Sequence, residues 1–180
     1  MTIRHVRVVR ADIRLPRLSS VVFSRQRDDW ETPPDLFAQL DAEFRFTCDA
    51  AATATNTKCP RYFGPDSPWV TDALAVSWNI RRYFLNPPYS RTRAFMRKAV
   101  EAAAGGSLVV CLVAARTDTR CWHESVYDCT CWQYRPGVEV RFLKGRLRFV
   151  GGKSGAPFPS AVIIFRPPDE SENHDGWLVA

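Results

Sequence analysis

A chain of 180 residues that is 46% hydrophobic can bury one real core but has little room for a second domain of ordinary size. No apolar run approaches the roughly 20 residues of a membrane span, and the N-terminus lacks the apolar core of a signal peptide, which predicts a cytoplasmic location and no membrane partner. The formal charge of +6 is uneven: residues 1–27 carry seven arginines against one acid, Asp12, and the rest of the chain balances to zero.

Such a basic segment on a neutral domain suits phosphate binding that does not read sequence. Within it Arg4, Arg7, Arg10, Arg14 and Arg17 recur at helical spacing, with Val6, Val9 and Ile13 on a neighbouring face. The β-branched content and Pro16 fit equally an arm that orders only on DNA, or a solvated tail. The chain therefore divides into a basic arm at 1–27, a domain at 28–167 and an acidic tail at 168–180. Thr32 followed by Pro33 reads as a helix start, and Leu36, Phe37 and Leu40 recur on one face, which predicts a helix over 33–42 capped by Thr32. Its free N–H groups would suit a carboxylate such as the methionine end of a cofactor. Residues 44–48 read as a short buried strand ending in Asp49-Ala50-Ala51-Ala52, where small residues let a ligand approach the backbone beside a carboxylate. There is no G-x-G fingerprint. Residues 53–71 are rich in turn formers, with Cys59, Tyr62, Phe63 and Trp69 as packing anchors.

Tyr83-Phe84-Leu85 reads as the end of a central strand, because the prolines of Asn86-Pro87-Pro88-Tyr89 cannot continue a ladder. Pro87 and Pro88 lack N–H groups, so this corner offers carbonyl acceptors, the Asn86 side-chain oxygen and the aromatic face of Tyr89. Acceptors beside a ring suit the exocyclic amine of a nucleobase, and an ordinary strand-to-helix loop would have the same composition. Ser90 or Thr92 then caps a helix with Phe95, Ala99 and Ala102–Ala103 as its stripe, closed by Gly105-Gly106. Residues 107–115 are the most continuous buried strand and deliver Arg116-Thr117-Asp118-Thr119 to the ligand edge of a mostly parallel sheet. A hairpin over 138–150, turning at Lys144-Gly145 and carrying Arg146 and Arg148, and a strand over 160–165 complete the α/β domain. The six cysteines contain no C-x-x-C pair and predict free thiols. Cys121, His123, Cys129 and Cys131 could supply four zinc ligands, but their spacings match no known knuckle, and no metal is expected.

Trp-x-Thr-Pro at 30–33, Asp-Ala-Ala-Ala at 49–52, Asn-Pro-Pro-Tyr at 86–89 and Arg-Thr-Asp-Thr at 116–119 occur in an order that resembles the phage-type DNA N-6-adenine-methyltransferase (Dam) family. Phe44-Arg45-Phe46, Asn56, Cys59, Asp72-Ala73-Leu74, Gly145-Arg146 and Ala156-Pro157-Phe158-Pro159-Ser160 add to it, and the likeness runs from about Asp28 to Pro167. The resemblance implies a Rossmann-like fold binding S-adenosyl-L-methionine, and a phage or prophage enzyme that methylates adenine N6 in double-stranded DNA, with no obligate protein partner. Trp30, Thr32 and Pro33 would meet the methionine end of the cofactor, Asp49 and Ala51 would lie beside it, Asn56 near the ribose and Asp72 near the adenine. Asn86, Pro87, Pro88 and Tyr89 would hold the target base. Arg116, Thr117, Asp118, Thr119 and Arg146 would face DNA. Cytosine N4, an RNA base, or DNA binding without catalysis are the alternatives.

Overall fold

The computed structural model describes residues 30–168 except 80 and 153. The basic arm at 1–27 and residues 169–180 of the acidic tail lie outside the described residues. In chain order the elements are α1 (Pro34–Phe44), β1 (Cys48–Asp49), β2 (Arg82–Leu85), a 3-10 turn (Tyr89–Arg91), α2 (Thr92–Ala104), β3 (Leu108–Ala114), α3 (Arg120–Ser125), β4 (Tyr127–Asp128), β5 (Gln133–Tyr134), β6 (Val138–Phe142) and β7 (Ser160–Phe165). The main sheet has the order β1-β2-β3-β7-β6, and β4 pairs with β5 separately. Strands β1, β2 and β3 are parallel, whereas β7 runs antiparallel to both β3 and β6.

Period-two alternation decides which side each strand residue serves. Val109, Cys111 and Val113 of β3 pack with Tyr83, Leu85, Phe95, Met96 and Trp122 on the α2 and α3 face. Leu108, Val110 and Leu112 pack with Phe84, Leu40, Phe44 and Phe46 on the α1 face. Because both faces are covered, β3 and β7 are near-continuous apolar runs, as a buried sheet requires. Among the described residues no helix is long and apolar enough to cross a membrane.

Several local expectations need correction. Pro33, not Thr32, is the N-cap of α1, and no side chain caps that end. Helix α1 runs on through Phe44 until Arg45 takes a left-handed φ of 50° and donates its N–H to the Asp41 carbonyl. The Asp41 carboxylate then accepts the Phe46 N–H at 2.8 Å, so the strand expected at 44–48 shrinks to Cys48–Asp49. Neither Ser90 nor Thr92 caps α2: its N-cap is Arg91, and the Thr92 hydroxyl donates back to the Pro88 and Tyr89 carbonyls. The hairpin over 138–150 does not form. The chain does turn at Gly145 (φ 78°), but the Leu143 N–H donates to Ser160 at 3.0 Å and β6 continues its ladder with β7. Residues 143–159 become a long loop whose Val150 N–H donates to the Glu31 carbonyl. Of the four anchors in the turn-rich segment, Cys59, Tyr62 and Phe63 are buried, whereas Trp69 is 47% exposed.

That turn-rich segment runs beside β1: Asp49 N–H donates to Arg61, Phe63 N–H to Asp49, and Ala52 N–H to Phe63. The approach is so close at Gly64 that a Cβ there would sit 1.7 Å from the Ala52 carbonyl oxygen. Backbone on backbone cannot yield as a side-chain tip can. Gly64→Ala should therefore cost about 2–3 kcal/mol or more. Thermal unfolding should show a midpoint lowered by roughly 5–10 °C, and an unchanged midpoint would count against the packing.

Candidate active site

Parallel strands β1 and β2 end side by side, with Asp49 opposite Phe84 and Asn86 two residues further along. The carboxyl edge of parallel strands is where such sheets place ligands. Here a cleft of about 730 Å³ opens, lined by Trp30, Glu31 and Thr32, by Asp49 and 51–53, by Thr55, Asn56 and Lys58, by 63–65 and 71–73, and by Phe84, Asn86, Pro88, Arg91 and Phe95. That volume lies within the roughly 300–1,000 Å³ usual for small-molecule sites.

Asn86 fixes one wall. Its Nδ2 donates to the Trp30 carbonyl and, at 3.0 Å, to the Thr32 hydroxyl. A carbonyl can only accept, so the amide orientation is determined and both Nδ2 protons are used. The capacity left on the side chain is that of Oδ1, an acceptor. Thr32, expected as a helix cap, is buried and serves this contact instead. Pro88 leaves the corner with its carbonyl already accepting from Arg91 N–H at 2.9 Å. Pro87 is buried and does not line the cleft, and neither does Pro33.

Asp49 is only 3% exposed. Its Oδ1 accepts from Ala51 N–H at 3.3 Å and its Oδ2 from Lys58 N–H at 3.1 Å. Burial outweighs these contacts and pushes its pKa up to about 6. Lys58 extends its ammonium to Glu31 Oε1 at 2.7 Å, joining two cleft residues in an ion pair. Asn56 braces its own turn, with Oδ1 accepting from Thr53 N–H at 2.8 Å. Asp72 is exposed, accepts from Leu74 N–H at 3.0 Å, and lies 3.8 Å from the Arg91 guanidinium. Six of the seven expected cofactor residues (Trp30, Thr32, Asp49, Ala51, Asn56 and Asp72) thus line one cleft, together with Asn86 and Pro88.

Tyr89 stands next to this cleft, edge-on to Phe158 with ring centroids 5.0 Å apart. The Arg116 guanidinium lies over the same Phe158 ring at 5.9 Å. Burial raises the Tyr89 phenol, and Arg116 only partly offsets that. Arg116, Thr117, Asp118 and Arg146 are exposed, whereas Thr119 is half-buried as the N-cap of α3, accepting from Trp122 N–H. Cys129 and Cys131 are exposed at the β4–β5 turn, Cys121 and His123 lie on α3, and no group of three metal-ligating side chains forms among the described residues. Sequence reasoning missed Glu31, Lys58, Arg91 and Phe158. Glu31 lies inside the Trp-x-Thr-Pro string and Arg91 lies two residues past the Asn-Pro-Pro-Tyr corner, which was the available signal; Phe158 had only its place in the Ala-Pro-Phe-Pro-Ser string.

The strands and the cleft together define a mixed α/β protein with a cleft open at the carboxyl edge of its parallel strands. Residues 19–171 match the family described as DNA N-6-adenine-methyltransferase (Dam), and the chain belongs to that family. The match reaches into 19–27, part of the basic segment that the resemblance had left outside the family core. The chain is similar to a DNA N-6-adenine-methyltransferase of Escherichia phage T1, 28% identical over an alignment of 161 residues that covers 81% of this chain and 66% of that protein. It is also similar to a DNA N-6-adenine-methyltransferase of Haemophilus phage HP1 (strain HP1c1), 25% identical over an alignment of 150 residues that covers 78% of this chain and 80% of that one. The chain thus spans a little under two thirds of the T1 protein.

The raised Asp49 carboxyl makes a signed prediction. The folded state holds this proton up to about pH 6, whereas the unfolded chain releases it near the ordinary aspartate value of 3.8, so Asp49 contributes stability at low pH that is lost as pH rises through 6. Asp49→Asn should remove that slope. In urea unfolding, the stability of the variant relative to the parent should improve from pH 4.5 to pH 7; a constant difference would show that Asp49 titrates normally.

Proposed function

We propose that the chain is a Rossmann-like methyltransferase that carries a methyl group from S-adenosyl-L-methionine to N6 of adenine in double-stranded DNA, with the base turned out of the helix and held by Asn86, Pro87, Pro88 and Tyr89. The observation that carries the reading is the fixed Asn86 amide, which keeps one acceptor and belongs to the lining of a nucleoside-sized cleft. The residues present fit the cofactor. Opposite charges at Asp49, Glu31 and Lys58 suit a zwitterionic amino-acid end, and Phe84, Phe63 and Phe95 suit the flat, less polar remainder.

When bound, the cofactor supplies an electrophilic methyl on a sulfonium. The chain's part is positioning and electrostatics. Adenine's amine is a poor nucleophile because its lone pair is delocalised into the ring. Hydrogen bonds from its two N–H groups to Asn86 Oδ1 and the Pro87 carbonyl would favour a pyramidal nitrogen and free its lone pair to take the methyl, the surplus amine proton then passing to solvent. Turning the base out costs a few kcal/mol, and stacking on Tyr89 recovers part of it. The Phe158 ring holds Tyr89 edge-on, so the stacking face is set before the base arrives. Arg116 to Thr119, Arg146 and the basic arm at 1–27 contact DNA in this reading.

Incubating the protein with methyl-labelled cofactor and unmethylated plasmid, then resolving the nucleosides, tests it directly. Label in N6-methyldeoxyadenosine is expected; label in N4-methyldeoxycytidine, label on RNA but not on plasmid in a parallel incubation, or none despite DNA binding would replace this reading. Asn86→Ala should lower transfer at least about 100-fold. Because Asn86 also ties down Trp30 and Thr32, cofactor affinity should fall several-fold as well. Tyr89→Phe should keep most activity while Tyr89→Ala loses about 5- to 100-fold, the worth of one stacked base. Deleting 1–27 should flatten the dependence of DNA affinity on salt, measured by anisotropy, and an unchanged slope would exclude the arm from phosphate contact.

A further inference from the structure

The reading above counts Lys58 and Glu31 only among the charges that suit an amino-acid end, yet the two are paired with each other inside the cleft. It is short, 2.7 Å, and half-sheltered, with the Lys58 side chain 16% and that of Glu31 34% exposed. Lys58 is also attached to the buried carboxylate, since its own N–H donates to Asp49 Oδ2 at 3.1 Å. One residue therefore places a mobile cation at the end of a four-carbon stem beside a fixed anion. An α-amino acid carries its ammonium and carboxylate on a single carbon, so a site for it needs one acceptor and one cation close together. Asp49 and Lys58 meet that requirement. Glu31, held between Trp30 and Thr32 by the two Asn86 contacts, occupies the cation in the meantime.

We propose that Lys58 is the ligand for the carboxylate at the amino-acid end of the cofactor, and that Glu31 is the counter-ion it exchanges on binding. This rests on the cofactor assignment above. The exchange conserves charge: Lys58 leaves one carboxylate for another, while the ligand's ammonium goes to Asp49. Glu31 is exposed enough to be solvated once released. Its presence sets how tightly the amino-acid end is held, because the incoming carboxylate must compete with one already in place.

Calorimetry with two ligands tests this without any turnover: S-adenosylhomocysteine, which has the amino-acid end, and 5′-methylthioadenosine, which lacks it. Lys58→Met should weaken S-adenosylhomocysteine by about 10- to 100-fold, the range of a lost charge-assisted contact. It should leave methylthioadenosine within about two-fold, which also shows that the variant is folded. Glu31→Gln should tighten S-adenosylhomocysteine several-fold by removing the competitor. Equal affinity of Lys58→Met and the parent for S-adenosylhomocysteine, or a parallel loss of methylthioadenosine, would overturn the role of Lys58. A loss in Glu31→Gln would overturn the exchange. If the parent protein bound neither ligand, the cofactor assignment itself would fall, and the proposal with it.

Discussion

The two hydrogen bonds from Asn86 Nδ2 join segments more than fifty residues apart in sequence, since they tie the end of β2 to the stretch at 30–32. A backbone carbonyl on one side leaves the amide no choice of orientation. The same contact therefore does two things: it closes a wall of the cleft, bringing Trp30, Glu31 and Thr32 over the strand ends, and it reserves the side-chain oxygen as an acceptor. Around it the arrangement is reinforced from a third part of the chain, because Val150 N–H donates to Glu31 and the Phe149 ring lies 5.2 Å from that of Trp30. Loss of the amide would free three chain segments at once.

The charged groups of the cleft are arranged by distance from water. Asp49, the deepest, is held neutral up to about pH 6 by burial despite two backbone donors. Lys58 and Glu31 are intermediate, and Asp72 and Arg91 sit at the mouth with more than half of each side chain exposed. Coulomb interactions weaken steeply along that gradient as the effective dielectric rises. Discrimination by charge therefore belongs to the inner pair and to Asp49, while the outer pair is screened.

Much of the sheet was legible because burial on two faces leaves a plain signature. Continuous apolar runs at 108–114 and 160–165 could hardly be anything but interior strands, and the prolines after Leu85 forced β2 to stop. The corner at 86–89 was legible for the same reason, since it is defined by what proline cannot do. What failed was decided by tertiary contact. Thr32 has ideal capping chemistry, yet its hydroxyl is claimed by Asn86. The turn at Gly145 exists, but β6 finds its partner in β7, so a correct local signal gave a wrong pairing. Lys58 and Glu31 are 27 residues apart, and neither type of residue is rare enough to mark a site without coordinates.

The antiparallel course of β7 has an effect beyond the sheet. A fully parallel arrangement would return the chain to the far end of the molecule before its last strand. Here β6 and β7 turn back at the near end, so residues 143–159 hang over the cleft side and bring Phe158 against Tyr89 and Phe149 against Trp30. Such an overhang can lengthen or shorten without altering the register of any strand beneath it. Relatives sharing the same Asn-Pro-Pro-Tyr corner can thus diverge in what surrounds it, with the variation confined to a single stretch of chain.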